Sequence, residues 1–123
     1  MYDKLIQNIF NHTEPYLPKK WHKLAMYILF TPGSYEIKYY YSDGKKYIDC
    51  FDSGVDTMTL IKLFDTIAEE SSKVRNTLKG KDKWSVMTLL VDSKGKVNTY
   101  FEYEDMTENS IKYIAGWRNK YIK

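Results

Sequence analysis

One cysteine, three prolines, six glycines and two histidines in 123 residues leave little material for several kinds of chemistry. The lone Cys50 excludes an internal disulfide and fits a reducing compartment. Together with His12 and His22 it falls short of the roughly four Cys and His ligands that a structural zinc site needs. The glycines stand singly in turns, so no phosphate-cradling loop is expected. The longest apolar run, Leu24 to Phe30, is far shorter than the roughly 20 residues of a membrane-spanning helix. The opening Met1-Tyr2-Asp3-Lys4-Leu5 has no apolar stretch behind a basic head, so no signal peptide is expected. These absences predict a cytoplasmic protein without a membrane contact. Charge of one sign is also scarce. Lys and Arg number 19 against 16 Asp and Glu, a net charge of +3, which is not the clustered basic face of a nucleic-acid binder.

What the chain has is rings. Twelve Tyr, five Phe and three Trp make aromatics 16% of the sequence, and tyrosine suits half-exposed sheet faces and interfaces. At this length one domain over residues 1–123 can bury a core without staples.

Leu5, Ile6, Ile9 and Phe10 give one apolar face to an opening helix from about Tyr2 to Leu17, ended by Pro15 and Pro18. Leu24 to Phe30 is apolar at every position, which predicts a central strand. After the turn Thr31-Pro32-Gly33-Ser34, Tyr35, Ile37, Tyr39 and Tyr41 alternate with Glu36, Lys38 and Tyr40, a strand with one wet face. Asp43-Gly44 signals a hairpin into a short strand, Tyr47 to Phe51. Ser53 with Asp56 resembles a capping box for a long helix with a stripe of Leu60, Phe64, Ile67, Ser71, Val74 and Leu78. Ile61 and Ala68 widen that stripe, Asp65, Glu69 and Glu70 lie off it, and Gly80 is its expected stop. A second hairpin joins Trp84–Val91 to Lys96–Tyr103 through Asp92-Ser93-Lys94-Gly95. Thr107 then reads as the N-cap of a last helix over about residues 108–122. The order α-β-β-β-α-β-β-α predicts an α+β domain, an antiparallel sheet covered by helices. Trp21, Trp84 and Trp117, at element boundaries, read as core.

Catalytic constellations are thin. His22 is the one candidate base for Cys50 at a strand end, and a lone cysteine is ordinarily a small buried hydrophobe. The adjacent acids Glu69-Glu70 and Glu104-Asp105 point in different directions. The expectation is a protein that is not an enzyme and has no cofactor and no metal. A nucleic-acid-binding module is the alternative: Tyr39, Tyr41 and Tyr47, with Lys38, Lys45 and Lys46 nearby, form a candidate stacking platform. Against it, those strand tyrosines share the more apolar face, and Glu36, Asp43, Asp49 and Asp52 occupy the same region.

The most informative segments are Phe101-Glu102-Tyr103-Glu104-Asp105-Met106-Thr107-Glu108, an aromatic strand running into an acidic turn, and Trp117-Arg118-Asn119-Lys120-Tyr121-Ile122. With them the chain resembles the YezG-type immunity proteins, antitoxins of bacterial polymorphic nuclease toxins. Trp21-His22-Lys23-Leu24 matches the Trp-x-Lys-aliphatic entry to the first strand, and Trp84-Ser85 the Trp-Ser/Thr opening of the second hairpin. Ser93-Lys94-Gly95-Lys96-Val97 and Glu102-Tyr103-Glu104-Asp105-Met106 resemble the Ser-x-Gly-x-aliphatic and Asp-Tyr-x-Asp-aromatic/aliphatic stretches, and the terminal segment matches Trp-x-x-Lys-Tyr-Leu. The resemblance implies a cytoplasmic protein that binds and neutralises a cognate toxin domain, a nuclease exported by type VII secretion or delivered by contact. Many nuclease immunity proteins are acidic; this chain is mildly basic. An acid-rich surface steers association with a basic cleft, and aromatics supply affinity. The toxin-binding residues expected on that basis are Glu102, Glu104, Asp105 and Glu108, then Asp65, Glu69 and Glu70, with Tyr100 and Tyr103 as aromatic anchors. No nucleic acid is expected as a partner.

Overall fold

The computed structural model describes residues 2–123. Its helices are α1 (Asp3–Thr13), α2 (Thr57–Arg75) and α3 (Ser110–Tyr121), and its strands β1 (Lys23–Thr31), β2 (Ser34–Ser42), β3 (Tyr47–Asp49), β4 (Val86–Asp92) and β5 (Val97–Glu102). Single 3-10 turns lie at Glu14–Tyr16, Cys50–Asp52 and Gly80–Asp82. All strand pairs are antiparallel, in the order β3-β2-β1-β4-β5. This is the α+β arrangement that the strand runs predicted.

β1 is central because it is apolar on both sides. Leu24, Met26, Ile28 and Phe30 face α1 and α2, while Ala25, Tyr27 and Leu29 face α3. Helices therefore cover both faces and the domain has three layers. The Thr31↔Ser34 pair closes a tight hairpin across Pro32 and Gly33, where Gly33 takes φ 73°. Asp43 organises the next loop, its Oδ1 accepting from the Lys45 and Lys46 N–H groups at 2.9 and 3.0 Å.

Several expectations are corrected. The wet face of β2 is covered in part: Glu36 is exposed as expected, but Tyr40 is buried against Trp117 and Lys38 is half-buried in an ion pair with Asp49 at 2.6 Å. Alternation along β2 marks the two faces but does not tell that α3 returns to close the second one. The opening helix stops at Thr13, since Pro15 fits the tighter 3-10 turn that follows. The third strand stops at Asp49, whose side chain accepts from Phe51 N–H and starts a 3-10 turn. The cap of α2 is Asp56, accepting from Thr59 N–H, while the Ser53 hydroxyl donates back to the Cys50 carbonyl. Leu63 joins the buried stripe and Ile61 is exposed. The helix ends at Arg75, well before Gly80. Thr107 is not a cap; α3 begins at Ser110 after Asn109, with no side-chain cap bond. Trp84 and Trp117 are core as read, and Trp21 is half-buried against the α1/α2 core.

Candidate functional site

β5 pairs with β4 alone, and its other edge has no strand partner among the described residues. The register Tyr100↔Thr88 and Glu102↔Val86 turns Tyr100 and Glu102 toward α3, while Phe101, opposite Met87, packs on the α1/α2 side. This alternation runs on past the strand. Glu102 and Glu104 line a groove of about 480 Å³ against α3, whose far wall carries Lys112, Tyr113 and Lys120. Tyr103 and Asp105 line a separate cleft of about 520 Å³ bordered by the β1–β2 turn, Arg75 and Lys83. The acidic turn is thus a ridge between two concavities.

The ridge is fixed at its far end. Met106 is buried under α3, and the Asp105 carboxylate accepts from the Thr107 hydroxyl and N–H at 2.5 and 2.9 Å. Those two bonds hold the Asp105 carboxyl below the usual carboxylate range. On the α3 side Trp117 is the keystone. Its indole N–H donates to Thr88 Oγ1 at 2.9 Å, and its ring meets Tyr27, Tyr121 and Tyr40 at 5.0, 5.3 and 6.0 Å. Tyr121 in turn stacks on the exposed Tyr100, with ring centroids 6.3 Å apart. Burial and the nearby Glu102 carboxylate push Tyr113 up to about 12, so its hydroxyl remains a donor at neutral pH.

Glu102, Glu104, Asp105, Tyr100 and Tyr103 are brought together on and beside the ridge, and Glu108 is exposed just beyond it, lining neither concavity. Asp65, Glu69 and Glu70 are not part of this group. They sit on α2, across the sheet, and each has a neighbour of its own: Asp65 accepts from the Tyr35 hydroxyl, Glu70 pairs with His12 at 2.9 Å, and Glu69 lies 3.9 Å from Lys73. Burial and the Asp65 carboxylate push Tyr35 up to about 12. Among the described residues, the acids of the ridge and Glu108 form no ion pair.

The sequence reading missed the α3 wall. Its signal was present as two helical rows, Lys112-Gly116-Lys120 and Tyr113-Trp117-Tyr121, spaced by four residues. Arg75 and Lys83 were missed too, and no local pattern marks them.

Burial decides against the Cys50–His22 pairing and the tyrosine platform. Cys50 is wholly buried and burial pushes its thiol up to about 11, so it is not a thiolate at neutral pH; His22 is exposed. No cluster of three or more metal-ligating side chains occurs among the described residues. The stacking platform of Tyr39, Tyr41 and Tyr47 is overturned. Tyr39 and Tyr41 are buried under α1 and α2, and Tyr47 packs on the opposite face. No helix of the described residues is long and apolar enough to cross a membrane. No curated protein matches the chain. A family model described as "Immunity protein YezG-like" matches residues 2–122, nearly the whole length that the ridge, the sheet and the three helices occupy. The chain belongs to the YezG-like immunity proteins.

Proposed function

We propose that this protein binds the toxic domain of a cognate nuclease toxin, exported by type VII secretion or delivered by contact, and protects the cytoplasm of the producing cell by occluding that domain. The observation that carries the reading is the family match over residues 2–122, because an immunity protein has a toxin as its partner. The ridge supports a particular binding face. A nuclease cleft is basic, and Glu102, Glu104 and Glu108 are exposed acids without an ion-pair partner among the described residues. Unpaired rim acids speed encounter, while exposed rings such as Tyr100 and Tyr103 supply contact area at low entropic cost. Asp65, Glu69 and Glu70, across the sheet and already engaged, contribute long-range steering rather than contact.

The test is a pull-down of the tagged full chain from cells that make it, with bound proteins identified by mass spectrometry and the purified toxin domain assayed with and without the chain. The expected result is a stoichiometric secreted protein with a C-terminal toxin domain, a nuclease silenced by one equivalent of the chain. Recovery of nucleic acid alone, or of nothing from toxin-expressing cells, would overturn the proposal.

A further inference from the structure

The cleft on the far side of the ridge holds cations that the fold leaves unanswered. Three lysines and arginines are half-buried among the described residues: Lys38, Arg75 and Lys83. Lys38 has its carboxylate, Asp49, at 2.6 Å. Arg75 and Lys83 have none within ion-pair distance, and both line the same cleft. Withdrawing a cation from water without a counter-charge costs stability, so two such groups in one place call for an anion from outside.

Arg75 is also held ready. Its Nε–H donates to the Trp84 carbonyl at 2.6 Å, and the guanidinium carbon lies 4.9 Å from the Phe30 ring centroid and 5.8 Å from that of Trp84. The two terminal nitrogens, which carry four of the five guanidinium N–H groups, have no acceptor among the described residues. That leaves a planar fork, fixed by stacking and one bond, for a bidentate anion. Asp105 borders the cleft without filling this role, because its Oδ1 is engaged by Thr107 and neither of its oxygens comes within ion-pair distance of Arg75 or Lys83.

We propose that Arg75 and Lys83 form a receptor for a single carboxylate, presented by an aspartate or glutamate of the toxin as it grips the ridge. This rests on the toxin-binding reading above. A protein carboxylate is favoured over nucleic-acid phosphate because Asp105 lines this cleft and Glu102 and Glu104 line the groove across the ridge, so a polyanionic backbone laid over the ridge would be repelled. The face is therefore of mixed sign: acids on the crest meet the toxin's basic cleft, and the recessed cations take an acid from its margin. Such a pattern fixes register and rejects a toxin with only one of the two charges.

The experiment uses the purified toxin domain captured in the pull-down, titrated calorimetrically with the full chain as wild type, Arg75→Lys and Lys83→Glu, with melting temperatures recorded in parallel. Arg75→Lys keeps the charge and loses the fork; roughly 30-fold weaker binding is expected, the scale of an interface hot spot. Lys83→Glu touches no side-chain bond of the fold, so roughly 10-fold weaker binding with an unchanged melting temperature is expected even if Arg75→Lys is destabilised. Wild-type affinity in both variants would overturn this inference and leave the toxin reading standing. No binding by the wild type would overturn both. A single-stranded DNA oligonucleotide that binds the wild type but not the variants would reassign the cleft to phosphate and overturn the carboxylate.

Discussion

Beneath α1 and α2 the sheet buries a continuous core that includes Leu24, Met26, Ile28, Tyr39, Leu60, Ile67, Trp84 and Leu89. Beneath α3 the buried apolar cluster among the described residues is smaller: Ala25, Tyr27, Leu29, Tyr40, Val86, Met106 and Trp117. The first face is deep, mostly aliphatic with five buried rings (Phe30, Tyr39, Tyr41, Phe64 and Trp84), and covered by two helices that contact each other. The second is shallow and aromatic, closed by one short helix that spans an open groove. This difference divides labour. The thick face holds most of the apolar burial, so the thin face can carry exposed tyrosines, unpaired acids and a concavity at little cost to the fold. Toxin binding as proposed would draw on that separation, since exposed charges at a binding surface contribute little to folding.

The comparison breaks most sharply at the two buried tryptophans. Trp84→Ala, on the thick face between Phe30 and Phe101, removes the largest fully buried side chain and the ring that lies beside the Arg75 guanidinium. It should cost about 3–5 kcal/mol and unfold the whole domain cooperatively in denaturant. Trp117→Ala should fall at the low end of that range, about 3 kcal/mol, because α3 can settle into the space. The clearer distinction is in hydrogen exchange. In Trp117→Ala, protection should vanish along α3 while β1 and β4 amides keep theirs, as expected for a unit that opens on its own. Equal loss in all three elements would mean that the two faces are one cooperative core and that the division is wrong.

How much of this was legible depends on the range of the contact responsible. β1 was readable as central because every residue from Leu24 to Phe30 is apolar, and the β1–β2 and β4–β5 hairpins announce themselves through Pro32-Gly33 and Lys94-Gly95. The acids of the ridge were readable as exposed turn residues. Which concavity each one faces was not, since that follows from β5 register against β4 carried past Glu102. Tyr40 shows the same limit, sitting on a face that alternation marks as wet but that Trp117 covers from the other end of the chain. Arg75 was illegible for the same reason, because its partners Phe30 and Trp84 come from two different strands' ends.

A charge reversal on the crest sharpens the comparison from the functional side. Glu104→Lys should leave the melting temperature within the change of an ordinary surface substitution, about 0.5 kcal/mol, and weaken toxin binding by roughly 10-fold or more. Asp105→Lys should match it in binding and lose additional stability, because it also removes both bonds to Thr107. Paired measurement by calorimetry and thermal melting separates the two effects. Unchanged affinity in both variants would remove the ridge from the binding face and transfer attention to the α2 acids.

The smallest effect expected is on the acid limb of stability. Backbone N–H groups of Lys46 and Lys45 hold Asp43 below its ordinary value of 3.8, and those of Lys96 and Lys94 do the same for Asp92. The Thr107 hydroxyl and N–H act likewise on Asp105. Each carboxyl is thus more acidic folded than unfolded, and near pH 4 the unfolded chain binds more protons at these positions than the folded one. Their contribution is complete above the unfolded value and is lost as the pH falls through the lower folded values. Asp43 and Asp92 close hairpins of the sheet, whereas Asp105 holds the turn that leads into α3. Acid should therefore loosen the thin face through one residue and the sheet ends through two. Replacing all three by asparagine, which cannot titrate there, should flatten the fall in melting temperature between pH 5 and 2 relative to wild type. Asp105→Asn alone should flatten only the part reported by α3 exchange. Acid limbs that superimpose for wild type and triple variant would show that these three turns carry no pH dependence.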